Sequence, residues 1–428
     1  MKCRIFVILL AILCDWHILA NALEVENPAI YGKMTISRAL ELAETSNMQL
    51  QKNALEQGIL NHNLYNAYSE VLPQVNFISK KEDYKIRYDT PSYEDRDVTS
   101  DTRMLNIDQT ISFHKIVPKL MRAHKERDAH GYNLLNGAQE ARLKIVEAFI
   151  NVYRNSAILP LINEIEKVAK QQMEVGKIKL QYDQISSYDF VSLTANIAQI
   201  AGDRIKTVND LDIAKNTYKA LLGVPAEELI LDEKVAMPAS DIENFLEMVV
   251  RSNPKLMSLK SSVSEAKYAL TTKMVDILPD VKVGYSNNRY TKLWYLAGYP
   301  NLNQNIFRIE LSVPIFDGGK RISDIGKATK QLKIAGLNSE IAYEDIIRDA
   351  SNAWSEYEIY SKMIEQYTYS LRAMEDIYEQ KQVEYNKKHG SLYSILTAKR
   401  NMLDIKIKLI TARCNRMYAY YKMLGYLG

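Results

Sequence analysis

Residues 72–75 read Leu-Pro-Gln-Val, and residues 278–281 read Leu-Pro-Asp-Val. The two stretches lie 206 residues apart (278 − 72). At the same offset, Asn-Met-Gln-Leu at 47–50 returns as Asn-Pro-Lys-Leu at 253–256. Separate matches at one offset predict a structural unit that occurs twice.

Each unit is predicted to contain a helix, two strands, a long helix and a final helix. The first repeat is predicted over 23–223, with strands at about 74–84 and 103–113, and the second over 224–428, with strands at about 280–290 and 306–315.

Proline positions and the spacing of apolar residues set these bounds. Pro73 cannot continue a helix, so the first helix is predicted from Ile36 to Leu72. Further on, apolar and polar residues alternate, which predicts strands with one apolar and one polar face. The clearest case is Phe307, Ile309 and Leu311 against Arg308, Glu310 and Ser312.

Very long helices are predicted after the strands. No proline occurs between Lys320 and Lys388, and a helix of about 65 residues is about 100 Å long. In the first repeat, Pro160 is expected to kink or break the corresponding helix. The final helix has apolar residues at coiled-coil spacing, which we interpret as core: Ile395, Ala398, Met402, Ile405, Leu409 and Ala412.

Composition and motifs exclude several classes of protein. The chain has 55 Lys and Arg against 52 Asp and Glu, a net charge of +3, which argues against a nucleic-acid binder. Two of the three cysteines lie in the first fourteen residues, which excludes a disulfide framework and a cysteine metal cluster. The sequence contains no Walker A, G-x-G-x-x-G, H-E-x-x-H or G-x-S-x-G motif, so neither an enzyme nor a cofactor is predicted.

Residues 1–22 have the pattern of a secretory signal peptide. Lys2 and Arg4 precede a short apolar stretch, and Ala-Asn-Ala at 20–22 matches a cleavage site. One alternative is an apolar N-terminal helix of the mature fold. Another is lipoprotein processing at Cys14, which the bulky preceding leucine disfavours. No later run of eighteen apolar residues occurs, so no transmembrane helix is predicted.

Four strands per chain are too few to close a membrane barrel, which needs about eight. An open sheet in lipid leaves its edges unpaired, so the chain either buries its sheet or pools it with other copies. Three copies supply twelve strands. Aromatic residues near the strand ends fit a belt at the water boundary, the alternative being ordinary tyrosines of a soluble protein: Tyr84, Tyr88, Tyr93, Tyr285, Tyr290, Trp294, Tyr295 and Tyr299.

Two features together resemble the TolC family of outer membrane efflux proteins. They are Leu-Pro-x-Val after a helix in both repeats, and Ser-Val-Pro-Ile-Phe-Asp-Gly-Gly-Lys-Arg at 312–321. The resemblance covers 23–428 and implies an α+β membrane protein. It implies a homotrimer whose 12-stranded β-barrel, with four strands per chain, lies in the outer membrane of a Gram-negative bacterium. A long α-helical coiled-coil barrel would continue it through the periplasm.

The resemblance also implies partners and a turn. The partners are outer membrane lipid, a periplasmic adaptor (membrane fusion) protein and an inner-membrane transporter of the RND or ABC type. Asp317, Gly318 and Gly319 are expected to form the strand-to-helix turn, because positive φ costs glycine little. The first repeat has Phe-His-Lys-Ile at 113–116 there, so its turn is expected to differ.

The family narrows its periplasmic entrance at the helix-hairpin tips, often with acidic side chains. Here the tips are expected near 179–189 and 385–394, where positive charge and hydroxyls make a strongly acidic ring doubtful. We expect them to open and close the tunnel and to dock the adaptor, with Gly390 in a left-handed turn. A plain hairpin loop is the alternative. The candidate aperture residues are Asp189, Lys387, Lys388, Gly390, Ser394 and Thr397.

Three functions remain to be compared. The first is a passive outer membrane channel for multidrug efflux or type I protein secretion. The second is a periplasmic coiled-coil scaffold or adhesin without a pore, which has no need of strands with one apolar and one polar face. The third, a hydrolytic surface enzyme, is disfavoured by the missing motifs.

Overall fold

The computed structural model describes residues 34–89, 96–232, 236–291, 301–387 and 389–428. The predicted signal peptide at 1–22 therefore lies outside the described residues. Within these ranges the order of elements repeats. The first half contains α1 (Ile36–Ser46), α2 (Met48–Ser69), β1 (Gln74–Ile86), β2 (Arg96–Thr110), α3 (Phe113–Gln181) and α4 (Ser187–Leu222). The second contains α5 (Ile242–Ser252), α6 (Pro254–Val275), β3 (Asp280–Thr291), β4 (Asn301–Ser312), α7 (Lys320–Asn386) and α8 (Leu392–Leu427).

The first helix differs from its prediction, because it breaks at Asn47 into α1 and α2. Asn47 is extended, and its side chain accepts the backbone N–H groups of Gln49 and Leu50. Asparagine competes with the helical backbone in this way and so favours a helix start. The helix also ends at Ser69, three residues before the predicted Leu72.

The same break occurs in the second repeat. Asn253 caps α6, whose first residue is Pro254, a favourable residue at that place. Each asparagine also holds the last helix of its own repeat. The side-chain amide of Asn47 donates to the carbonyl of Leu221, and that of Asn253 donates to the carbonyl of Tyr426, both at 2.9 Å.

Pro160 does not break the long helix. α3 is continuous over 69 residues and contains both Pro118 and Pro160. The Pro160 side chain is exposed, and so is Ser156, whose carbonyl loses its intrahelical donor. Water can satisfy that carbonyl, while Ile158 and Ile165 on either side are buried and hold the helix in place.

The strand bounds also differ from the predicted ones. β1 runs two residues further than predicted, to Ile86, and β3 ends one residue later, at Thr291. β2 covers Arg96–Thr110 rather than 103–113, because α3 already begins at Phe113. β4 covers Asn301–Ser312 rather than 306–315, because the turn into α7 follows Ser312 directly.

The four strands form one antiparallel sheet in the order β1-β2-β3-β4. Cross-strand partners share a face, and one row consists of Val75, Ile107, Tyr285 and Phe307. We call this side the apolar face. On β4 it is bare, since Phe307, Ile309 and Leu311 are 67%, 68% and 65% exposed.

The opposite side, which we call the polar face, carries mostly polar side chains. One of its rows contains Asn76, Asn106 and Ser286. Ser100, Thr102, Ser286 and Asn288 of this face are buried. The sheet thus exposes apolar side chains to the surroundings while several polar side chains of its two central strands are buried, the reverse of the pattern in a soluble protein.

The helices pack around three apolar clusters. The first surrounds Phe149 and Tyr218, the second Phe245 and Trp354, and the third Ile165 and Met402. α8 contributes to all three, and its Cys414 is buried in the first. Of the helices in the described ranges, α3 alone is long and apolar enough to cross a membrane by length and composition. Its residues Ile145, Phe149 and Val152 are core residues.

Tyr218 provides a test of this core. Its side chain is fully buried, its hydroxyl has no hydrogen-bond partner among the described residues, and burial raises its pKa to about 12. Tyr218→Phe is expected to leave the free energy of unfolding unchanged or to raise it by about 1 kcal/mol, since the unpaired hydroxyl is removed. Thermal unfolding in detergent measures this.

Tyr68→Phe is the matched control, because the Tyr68 hydroxyl is hydrogen-bonded to the His124 ring at 2.9 Å and its loss is expected to cost about 1 kcal/mol. The raised pKa of Tyr218 also makes the wild type lose stability as pH rises from about 10 towards 12, and Tyr218→Phe removes that loss. An equal loss of stability in the two variants contradicts the assignment.

Candidate functional site: the helical tips and the strand-to-helix turns

The turn between β4 and α7 depends on two glycines. Gly318 and Gly319 have φ values of 69° and 85°, in the left-handed region. The Asp317 carboxylate accepts the backbone N–H of Arg321 at 3.1 Å, and the Arg321 guanidinium donates to the carbonyl of Pro314 at 2.8 Å. This turn fixes the direction in which α7 leaves the sheet.

The corresponding turn between β2 and α3 uses contacts across the repeats and has no left-handed residue. The hydroxyl of Ser112 accepts the backbone N–H of Val281 at 2.8 Å. The Lys115 ammonium lies 2.8 Å from the carboxylate of Asp280; the Lys115 side chain is largely buried and that of Asp280 is about one third exposed. The match of 72–75 with 278–281 placed Asp280 at a strand start but gave no sign of this ion pair.

The first tip joins α3 to α4 through a turn that includes Asp183, a non-glycine residue with a φ of 55°. Ser186 and Asp189 then form a capping box. The Ser186 hydroxyl accepts the Asp189 N–H at 3.1 Å, while the Asp189 carboxylate accepts the Ser186 N–H at 3.2 Å and its hydroxyl proton at 2.7 Å. The Asp189 carboxylate is exposed but already satisfied by the start of α4.

The second tip joins α7 to α8, and the expectation of a left-handed Gly390 is wrong. The positive-φ glycines of the described residues do not include it. Glycine is needed at position 390 because the backbone of α7 passes too close to leave room for a side chain. A Cβ at Gly390 would lie 3.0 Å from the Tyr385 nitrogen and 3.2 Å from the Glu384 carbonyl carbon, both in the backbone of α7.

The other predicted tip residues have local roles or lie elsewhere. Ser394 donates its N–H to the Ser391 hydroxyl at 3.2 Å, so it belongs to the cap of α8. Lys387 is exposed and ends α7, its N–H donating to the Val383 carbonyl at 3.1 Å. Lys388 lies outside the described residues.

Besides the hydrogen bond from Arg154 to Asn415 at 2.8 Å, which lies further from the tips, three polar contacts join the first hairpin to the second. The Gln172 amide donates to the Thr397 hydroxyl at 3.0 Å, and the Lys179 ammonium lies 5.4 Å from the centre of the Tyr393 ring. Further from the tip, Lys399 forms an ion pair and hydrogen bond with Glu164. Of these residues the sequence singled out Thr397 alone. We call these three pairs the α3–α8 contacts.

The α3–α8 contacts differ in kind from the packing inside the first hairpin. A Cβ at Gly176 would lie 2.6 Å from Leu193 Cδ1, so α3 and α4 are in close apolar contact near the tip. The third apolar cluster joins α3 to α8 only as far as Ala169 and Met402. Towards the tips from Ala169, the polar pairs Gln172–Thr397 and Lys179–Tyr393 join the two hairpins, and Glu164–Lys399 lies beside the cluster.

The charge of Glu164 depends on its partner. The hydrogen bond from Lys399 lowers the pKa of Glu164 below its ordinary value of 4.5. Glu166, two residues away, also has a lowered pKa, but its partners are Lys170 and Arg204 of the same hairpin. Glu164 therefore takes part in a contact between the two hairpins, whereas Glu166 takes part only in contacts within the first hairpin.

The described residues contain no group of three or more His, Cys, Asp or Glu side chains placed to hold a metal ion.

Comparison with known proteins gives consistent matches. The outer membrane efflux protein family matches residues 246–428. The outer membrane efflux protein BepC of Brucella suis is 21% identical over 303 residues, 69% of this chain and 65% of BepC. The alkaline protease secretion protein AprF of Pseudomonas aeruginosa is 21% identical over 271 residues, 60% of this chain and 54% of AprF. The aligned part thus spans less than two thirds of either relative.

Solved structures match over more of the chain. The CmeC outer membrane channel of Campylobacter jejuni has a TM-score of 0.77 at 14% identity, over 92% of this chain and 85% of CmeC. The fold is that of the outer membrane channels, with a four-stranded contribution to a barrel and a long helical part.

Residues 246–428 thus match the outer membrane efflux protein family, and the fold of the chain is similar to that of outer membrane channels. The chain is accordingly an outer membrane protein, and its relatives are channel proteins rather than enzymes.

The α3–α8 contacts give a pH-dependent prediction. Glu164→Gln is expected to cost about 0.5 kcal/mol of local stability, the value of an exposed pair, and so to speed hydrogen exchange at 392–400 roughly twofold. Because the pKa of Glu164 is lowered in the folded state, the contact is present above about pH 4.5 and is lost as the pH falls through that lowered value.

Glu166→Gln is the matched control, since that carboxylate makes no contact with α8. It is expected to leave exchange at 392–400 unchanged. Equal effects of the two variants show that the contact does not hold the tip. So does a protection factor, corrected for the intrinsic pH dependence of exchange, that falls below pH 4.5 in Glu164→Gln as it does in the wild type.

Proposed function

We propose that three copies of this chain form an outer membrane channel. The channel passively conducts substrates from a periplasmic adaptor and an inner-membrane transporter to the exterior. The observation that carries the proposal is the sheet, which has an exposed apolar face, buried polar residues on its two central strands and two edges that are unpaired among the described residues.

The edges explain why copies must join. β1 and β4 each pair on one side only, so each has a row of backbone N–H and C=O groups without a partner in the sheet. In lipid, each such group costs several kcal/mol, and membrane sheets therefore close into barrels. The β4 edge of one copy pairing with the β1 edge of the next removes both edges.

The size of the pore supports three copies rather than two. Two copies would give eight strands, and the interior of an eight-stranded barrel is filled by its own side chains. Three copies give twelve strands and leave a water-filled interior lined by the polar face. The apolar face then lies against lipid, with Phe307, Ile309 and Leu311 turned outward.

The helices support the same assembly. On α7, Ile334, Leu337 and Ile341 form an exposed apolar stripe at helical spacing, and on α4 Ile205 and Ile213 are exposed. Such stripes mark surfaces that another chain covers. α7 is about 100 Å long, enough to carry a barrel of helices from the membrane far into the periplasm.

We further propose that the tips form the periplasmic aperture and the adaptor-docking surface. The weak α3–α8 contacts hold a closed arrangement, and their loss lets the hairpins part. The cargo follows from the inner-membrane transporter, of the RND or ABC type. The names of AprF and BepC refer to protein secretion and to efflux, and the proposal covers both.

Planar-bilayer recording tests the proposal. The full chain is expected to give discrete conductance steps. Asp189→Ala removes the capping box of α4, which costs about 1 kcal/mol, and Gly390→Pro strains the second tip, so both variants are expected to raise the open fraction. Asp203→Ala, an exposed aspartate of α4 further from the tip, is the control and should behave as wild type.

The outcomes separate the two parts of the proposal. A wild-type oligomer that passes no ions supports the alternative, a scaffold or adhesin without a pore. Normal conductance that is unchanged in both tip variants ends the aperture assignment and leaves the channel standing.

A further inference from the structure

Two arginines face each other across the sheet. Arg103 of β2 and Arg289 of β3 are direct cross-strand partners, in a row that begins with Ser79 of β1 and ends with Asn303 of β4. Direct partners in an antiparallel pair have Cβ atoms about 5 Å apart, and like charges there repel. Such a pair needs an anion to offset it.

The side chains of the protein offset this positive charge only in part. The Arg103 guanidinium lies 3.3 Å from the carboxylate of Asp101, a long and exposed contact. Arg289 makes no ion pair or hydrogen bond with any described residue. Lys81, the cross-strand partner of Asp101, adds a third cation to this patch. Arg103, Arg289 and Lys81 therefore lie beside Asp101, the second carboxylate of this face, Asp83, being one row further from the helices, and both guanidinium groups are exposed.

The position of the arginine pair along the strands of the apolar face also matters. The row next to it on the side of the helices contains Phe77 and Leu105 together with Asn287 and Asn305, and the following row, nearer the helices, is fully apolar or aromatic: Val75, Ile107, Tyr285 and Phe307. Beyond the arginines the same face carries charged residues, among them Lys81 and Asp83. The pair thus stands where the apolar band ends, on the side away from the helices.

We propose that Arg103 and Arg289 bind the phosphate of an outer-leaflet membrane lipid. Guanidinium groups match phosphate oxygens with paired, charge-assisted hydrogen bonds. In the orientation of the proposed function, on which this inference rests, the apolar rows contact acyl chains. The arginines then lie at the height of the lipid phosphates, and one phosphate between them removes their mutual repulsion.

Binding of diphosphoryl lipid A to the purified full chain in detergent tests the assignment, with dephosphorylated lipid A and inorganic phosphate as comparison probes. The wild type is expected to bind the phosphorylated lipid roughly tenfold more tightly than the dephosphorylated one. The double variant Arg103→Gln with Arg289→Gln is expected to lose that difference, and Arg103→Lys with Arg289→Lys to keep part of it.

Arg308→Gln is the matched control, because Arg308 is an exposed arginine of β4 on the polar face, in the row of Asp108 and Gly284. It is expected to bind the lipid as the wild type does. The proposal is overturned if the double glutamine variant keeps the preference, if Arg308→Gln abolishes it equally, or if inorganic phosphate competes at the concentration of the lipid. Conductance is measured on the same preparations. Normal conductance without a lipid preference contradicts the lipid site alone, whereas loss of conductance in the wild type contradicts the proposed channel.

Discussion

The structure depends on the backbone groups at the two edges of a four-stranded sheet. Among the described residues, β1 and β4 have no partner on their outer sides, yet one face of the sheet between them is apolar and exposed. Water tolerates such edges and lipid does not. The apolar face favours lipid, but the unpaired edges cannot enter lipid alone. Both conditions are met when several copies pair their edges. In the proposed assembly, the exposed stripes of α4 and α7 lie below the barrel.

Duplication supplies this sheet economically, but the two repeats are not equivalent. Both use an asparagine to start the second helix and to hold the last one. Their strand-to-helix turns differ, with two left-handed glycines in the second repeat and contacts to β3 in the first. The pairs Lys115–Asp280 and Ser112–Val281 join β3 to the start of α3. Neither repeat is therefore complete without the other.

Much of the fold could be predicted from the sequence, because proline, alternation and the 206-residue offset are local signals. The break at Asn253 was readable from Pro254, and the break at Asn47 followed from it by the repeat. The break predicted at Pro160 was wrong, because the cost of a proline in a helix depends on whether water can reach the carbonyl that loses its donor, here that of Ser156. The left-handed turn predicted at Gly390 was wrong. The glycine is required there by the close approach of the α7 backbone, and a sequence pattern does not indicate such a contact. The partners of Thr397 and Lys399 lie over 200 residues away, and no local pattern links them.

Disulfide crosslinking between edge strands tests the central claim most directly. With the native cysteines removed, a cysteine at Asn303 of β4 is paired in turn with one at Val75, Phe77, Ser79 or Lys81 of β1, all on the apolar face. The account predicts that one register gives covalent dimers and trimers and nothing larger when the chain is oxidised in membranes. Absence of crosslinks at every register, or a series that ends at the dimer, contradicts it.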